Sequence, residues 1–404
     1  MSRLIVIGGG AAGFFLAVNA ARMHPGLQVT ILEKTSKLLS KVKVSGGGRC
    51  NLTHQCDDIS TMSKCYPRGQ HFVKKTFHQF FTSGTIDWFE ERGVKLKTEN
   101  DGRMFPSTDS SQTIIDCLLR EASKYEVGVR MNAEVTGIMH HEAGFSLQLK
   151  DGSQLDCDKL AIACGGYPRS DMFAWLKKTG HSIEEPSPSL FTFNLPGHSI
   201  TKLMGLSVEN ATVKIQGSKL QEQGPVLITH WGLSGPSILR LSAWGARELK
   251  EKNWNFSIRI NWISRTEQGL LEELEMKRRV NASRKVSAKN ELGIPQRLWD
   301  YMVSEAGIKE DTRWADLPAA ARNKLIQLIC QYPFDIKGKT TFKEEFVTAG
   351  GVKLSEVDPQ TMMSRKIPGL FFAGEVLDVD GITGGYNFQH AWTSGFIAAK
   401  HVMA

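Results

Sequence analysis

The stretch RLIVIGGGAAGFFLAVNAARM, residues 3–23, constrains the fold more than any other part of the chain. Residues 3–7 are a short apolar run, and from Ala11 onward small and apolar residues recur at helical spacing. LQVTILEK (27–34) is a second strand-like run, so residues 3–34 predict a βαβ unit with parallel strands and a right-handed crossover. The turn Gly8-Gly9-Gly10-Ala11-Ala12-Gly13 satisfies GxGxxG. In that pattern Gly8 allows the tight turn, Gly10 lets a pyrophosphate approach the backbone, and Gly13 permits close helix–strand packing. The helix N-terminus then offers N–H groups and a positive dipole end to the anion. Glu33, at the end of the second strand, stands where a carboxylate binds a ribose diol.

Glycine-rich turns recur at 46–48, 165–166, 350–351 and 384–385. Several such turns closing on one ligand predict a large, tightly held dinucleotide, FAD rather than NAD. No second GxGxxG lies between 150 and 330, so a separate nicotinamide domain is not expected. The triple glycine of KVKVSGGGRCN (41–51) follows the first βαβ unit, where an extended FAD would run toward its flavin end. Its missing side chains let backbone lie against the cofactor, Arg49 and Asn51 offer polar contacts, and Cys50 reads as a small packing residue.

The remaining composition excludes more than it assigns. With 41% hydrophobic and 23% charged residues the 404-residue chain is globular, and its length predicts two or three domains. No run of about 18 apolar residues is present, so no membrane span is expected, and the glycine-rich N-terminal stretch does not read as a secretory signal. Seven scattered cysteines without a CxxC pair predict free thiols in a reducing cytoplasm and no metal site. The net charge of +8 favours anionic partners.

Helices are predicted over 71–93 and, opened by a Ser cap, over 110–127. Strands follow from about 129 to DKLAIACGG (158–166), which carries Cys164, Gly165 and Gly166 on the cofactor side. Short β-like runs fill 189–262, charged helical sequence fills 264–332, and a final helix is predicted near 387–403.

The segments SGGGRCNLT (45–53), THWGLSGPSILRLS (229–242) and TAGGVKLSEVDPQTMMSRKIPGLFFAGEVLDVDGITGGYNFQHAWTSGFIAAKHV (348–402) resemble the BaiN/RdsA-type bacterial FAD-dependent oxidoreductases. The resemblance covers the whole chain and implies an α/β fold: a discontinuous Rossmann-type FAD-binding domain, an inserted β-barrel-like domain and a small helical domain. The implied boundaries are 1–188 and 347–404 for FAD binding, 189–262 and 333–346 for the barrel, and 263–332 for the helices. It places Gly8, Gly10, Ala11, Ala12 and Gly13 on the pyrophosphate, Glu33 on the adenosine ribose and Lys34 beside it. Lys41 joins the cofactor set, Ser45, Gly46, Gly47, Gly48, Arg49, Cys50 and Asn51 line the flavin side, and Val135 meets adenine through its backbone. Gly374 and Glu375 meet the ribityl–phosphate region, and Gly384, Gly385, Tyr386 and Asn387 the pyrimidine side of the flavin. A helix starting near Asn387 supports the last placement independently, because reduced flavin carries negative charge at N1 and the C2 carbonyl.

His230, His390 and Tyr386 are the candidate catalytic groups, the two histidines weighed against purely structural roles. The expected activity is NAD(P)H-driven, FAD-dependent reduction of an activated C=C bond, with uridine of 23S ribosomal RNA going to dihydrouridine. The alternatives are reduction of a steroid or bile-acid enone, amine oxidation, or a flavin-bearing RNA- or ribosome-binding factor. MKRRVNASRKVSAK (276–289) holds six Lys or Arg and no acid, and is read either as a solvated helix face or as an RNA contact.

Overall fold

The computed structural model describes residues 2–340 and 347–403; residues 341–346 of the expected 333–346 barrel return lie outside the described residues. The chain divides into two compact units, Met1–Ser189 with Phe342–Ala404, and Leu190–Thr341.

The first unit is organised by a five-stranded parallel sheet of β1 (Arg3–Ile7), β2 (Gln28–Leu32), β3 (Gly128–Arg130), β4 (Lys159–Ile162) and β5 (Leu370–Phe372). Their order is β5-β4-β1-β2-β3. Leu4–Ile7 and Leu160–Ile162 are buried in succession, the pattern of strands covered on both faces. Helix α1 (Ala11–Met23) packs against the C-terminal helix α2 (Tyr386–His401) through small residues: a Cβ on Gly395 would stand 3.0 Å from the Ala12 carbonyl oxygen. Two three-stranded antiparallel sheets, one from Val135–His141, Gly144–Leu149 and Gln154–Cys157, the other from Thr53–His54, Arg103–Pro106 and Leu96–Thr98, complete the unit with helices between them.

The helix predicted over 71–93 is two helices, Gln70–Phe77 and Thr82–Glu90. Phe80 leaves the helical path to stack on Phe396 at 4.2 Å, and that aromatic contact sets the break. The helix predicted at 110–127 spans Ser111–Lys124, and the Ser110 hydroxyl caps it by accepting from the Gln112 N–H.

In the second unit a seven-stranded antiparallel sheet runs from Tyr332–Lys337 at one end to Lys339–Thr340 at the other. Only Gly338 separates these two segments, so the sheet closes on itself and is barrel-like. The helices Glu267–Val280, Gln296–Glu305 and Ala319–Cys330 share one buried core with these strands, Leu274, Trp299 and Ile329 lying in the same cluster as Val213 and Ile258. The expected boundary at 262/263 therefore does not divide two cores, and the helices Pro236–Trp244 and Ala246–Glu251 lie on its strand-rich side. No helix among the described residues is long and apolar enough to cross a membrane.

Candidate cofactor and active site

Gly10 caps the N-terminus of α1, with no side-chain cap and no acid in the first turn. The three motif glycines meet different surroundings. A Cβ on Gly13 would stand 1.9 Å from the Gly8 carbonyl oxygen, and one on Gly8 would stand 2.4 Å from that of Ala163. At Gly10 a Cβ would meet nothing within 4 Å. Gly8 and Gly13 are thus required for the chain to pack on itself, whereas Gly10 leaves open space before the unpaired N–H groups of a helix N-terminus. A pyrophosphate could approach the backbone there, as the residues present allow.

Glu33 ties this turn to the end of β2. One carboxylate oxygen accepts from the Gly9 N–H at 2.9 Å, and the other accepts from the Thr35 N–H and hydroxyl, each at 2.9 Å. The Ala133 N–H donates to the Glu33 carbonyl at 2.9 Å, which brings the strand starting at Val135 to the same sheet edge. Lys34 Nζ lies 5.0 Å from the centre of the Tyr167 ring. Burial pushes the Cys164 thiol up to about 11, so it stays protonated.

Lys41, Gly165, Gly166, Gly374 and Glu375 gather beside α1. Lys41 Nζ pairs with Glu375 Oε2 at 2.6 Å, and Glu375 Oε1 accepts from the Thr348 N–H at 2.8 Å. Gly166 has room only for hydrogen, since a Cβ would stand 2.5 Å from the Thr348 side chain. Gly374 lies against α1, its would-be Cβ 2.7 Å from that of Ala12.

The triple glycine forms a left-handed turn, φ being 58°, 68° and 85° at Gly46, Gly47 and Gly48, after an extended Ser45. The Asn51 amide, oriented by its hydrogen-bonding surroundings, donates to the Thr53 carbonyl at 3.1 Å and accepts from the Gly385 N–H at 3.0 Å. Asn51 thereby ties the triple-glycine turn to the start of α2, which has a left-handed Gly385 before it and no side-chain cap. Asn387 closes the preceding loop, accepting from the Gly381 N–H at 2.8 Å and donating to its carbonyl at 2.9 Å. Tyr386 lies in this cluster: its ring stacks on His54 at 4.9 Å, and its carbonyl accepts from the Tyr66 hydroxyl at 2.6 Å. His54 Nδ1 is 3.1 Å from the Gly384 carbonyl oxygen, and burial lowers its pKa.

His54, Tyr66 and the buried Arg68–Asp380 pair were not foreseen. His54 directly follows the SGGGRCNLT motif and was readable as its extension; Tyr66 and Arg68 carry no local signal. Arg68 Nε donates to Asp380 at 2.5 Å and the Ser189 hydroxyl donates to the same carboxylate at 2.8 Å, anchoring the loop that leads to Gly384.

Arg49, Cys50, His390 and His230 have the following surroundings, with Cys50 in the packing role expected of it. Arg49 turns away to Glu99, at 2.6 Å, and lies over the Phe105 ring at 4.1 Å, so its charge is already neutralised. Cys50 is fully buried and its thiol is pushed up to about 12, which leaves it inert. His390 is buried on α2, burial lowers its pKa to about 4, and neither ring nitrogen makes a well-formed hydrogen bond among the described residues. His230 sits exposed on the second unit's 229–232 turn, its ring against Trp231 at 3.9 Å.

Glycine turns gathered at two helix N-termini on a parallel sheet form the frame of FAD-dependent oxidoreductases, and this chain is one. It belongs to the HI0933-like protein Rossmann domain family, whose sequence model matches residues 2–401. It is 30% identical to the ribosomal RNA dihydrouridine synthase of Escherichia coli over 99% of this chain and 98% of that protein. It is 28% identical to the 3-dehydro-bile acid delta(4,6)-reductase of Clostridium scindens over the same shares, 99% and 98%. Among solved structures, the 3-ketosteroid-delta4-(5alpha)-dehydrogenase of Rhodococcus jostii has the same fold at a TM-score of 0.54 and 13% identity, covering 98% of this chain and 97% of that one.

Proposed function

We propose that the protein uses FAD and NAD(P)H to reduce the C=C bond of uridine in 23S ribosomal RNA to dihydrouridine. The observation that carries the cofactor side is the open space at Gly10 beside packing-filled Gly8 and Gly13. Support for the substrate comes from relatives named ribosomal RNA dihydrouridine synthase in Escherichia coli and Haemophilus influenzae, at 30% and 29% identity, and from the net charge of +8. Bound FAD supplies the hydride chemistry.

The chain's own part is to bind, orient and protonate. The N-terminus of α1 and Gly10 hold the pyrophosphate, Glu33 the ribose end, and the Asn51–Gly385 link fixes the backbone facing the flavin's pyrimidine side. The start of α2 would present its N–H groups and positive dipole end to the flavin's pyrimidine side. Tyr386, stacked on His54 within these converging turns, is assigned the delivery or positioning of the proton.

A second reading, reduction of a steroid-like enone, is favoured by the relative named as a bile-acid reductase. Mapping dihydrouridine in 23S ribosomal RNA from a strain lacking the gene separates the two. The RNA reading expects one dihydrouridine to disappear and to return with the wild-type gene but not with Gly10→Ala. An unchanged map discards it in favour of the enone.

A further inference from the structure

The helix Glu267–Val280 ends in Lys277, Arg278 and Arg279, and the chain then turns back through residues 281–290. These segments enclose a recess of about 250 Å³ walled by Lys277, Arg284, Lys285 and Lys289, with the buried Trp299 and Trp314 behind them and Glu291 as its one acid. The charges at the helix end have a structural explanation. They oppose the helix dipole, and Lys277 also lies 3.7 Å from Glu273 and 3.5 Å from Glu291.

The cations beyond the helix have none. Arg284, Lys285 and Lys289 are exposed, and among the described residues their side chains make no hydrogen bond or ion pair. Arg265 and the half-buried Arg240 of the same unit are, by contrast, held by Glu273 and by Glu222.

The turn carrying them is also fixed. Trp314 N–H donates to the Arg284 carbonyl at 3.0 Å, Val286 N–H to the Thr312 carbonyl at 2.9 Å, and Trp299 Nε1 to the Val286 carbonyl at 3.0 Å. The backbone from which the cations project is therefore ordered before any ligand arrives, which lowers the ordering cost of binding. The recess is below the roughly 300–1,000 Å³ of a pocket for a drug-sized ligand, and its open basic wall suits a phosphodiester group.

We propose that this recess is a phosphate contact through which the second unit grips the RNA backbone without reading its sequence. The proposal rests on the RNA reading above and adds the surface that binds it. Neutralising phosphates with three unpaired cations releases counterions, so the contact makes affinity fall with salt.

The test is a salt titration of the flavin-loaded protein against a transcribed, unmodified 23S fragment, followed by fluorescence anisotropy. Arg284→Gln with Lys285→Gln is expected to weaken binding roughly 10-fold or more near physiological salt and to lower the log–log salt slope by about 1.5 to 2. The charge-retaining pair Arg284→Lys with Lys285→Arg should restore both, while Arg265→Gln, a paired cation, should change neither; flavin content and thermal unfolding report that each variant folds. Unchanged affinity and slope in the neutralised pair overturn the recess and leave the RNA reading standing. So does a variant that loses NADPH affinity instead, since the recess would then hold the nicotinamide cofactor's phosphate. Absence of salt-dependent RNA binding by the wild-type protein overturns both.

Discussion

Gly10 and Gly13 lie three positions apart in one motif, yet substitution at each should have a different consequence. Gly10 has φ of −95° and room for a methyl group, so Gly10→Ala should leave the fold intact while filling the space assigned to the pyrophosphate. The expected result is an apo-protein melting temperature within a degree or two of wild type and at least a roughly 10-fold loss of FAD affinity. In Gly13→Ala the methyl group meets the Gly8 carbonyl, and the apo-protein itself should lose about 1–3 kcal/mol. Apo-protein melting with FAD titration by fluorescence checks both; equal effects on fold and binding would show that Gly10, too, serves packing alone. The motif was readable from sequence because its chemistry is local. The turn of Arg49 toward Glu99 was not, since that carboxylate is 50 positions away on a hairpin that only the fold brings near.

Helix α2 illustrates the same division at the level of an element. Its presence and its start near 387 were legible from spacing and from the glycine pair before it. Its burial was not, because α1 and the residues at 52–53 and 80–89 that cover it come from the other end of the chain. His390 is buried on the same helix. The unfolded chain's histidine titrates near 6.5, whereas burial lowers the folded value to about 4. Between these values the unfolded state binds a proton that the folded state does not, so stability is fully present above about 6.5 and falls as pH falls toward 4. Acidification from about pH 7 to about pH 5 should cost about 2 kcal/mol from this group. His390→Gln should remove that part of the slope in denaturant unfolding; an unaltered slope would mean that the imidazole is not the buried neutral group the packing implies.

At the scale of the whole molecule the strand-rich and helix-rich halves of 189–332 were distinguishable by composition, while their common core was not. Sequence pattern reports the period of each element but not which apolar faces meet, and here Trp299 of a helix and Ile258 of a strand bury in one cluster. Chemistry was assigned the same way, clearly for the cofactor and less directly for the acceptor, because the first is written in glycine turns and the second in the surface presented to it. In the proposed function the reduced flavoprotein gives its hydride to uridine in RNA. The most direct measurement is anaerobic single turnover: the flavin is reduced, then mixed with unmodified 23S RNA, with a steroid enone, or with buffer, and its visible absorbance is followed. Reoxidation at least about 100-fold faster with the RNA than with either other solution, with dihydrouridine formed in equal amount, is the predicted result. A flavin that stays reduced in RNA as long as it does in buffer would contradict it.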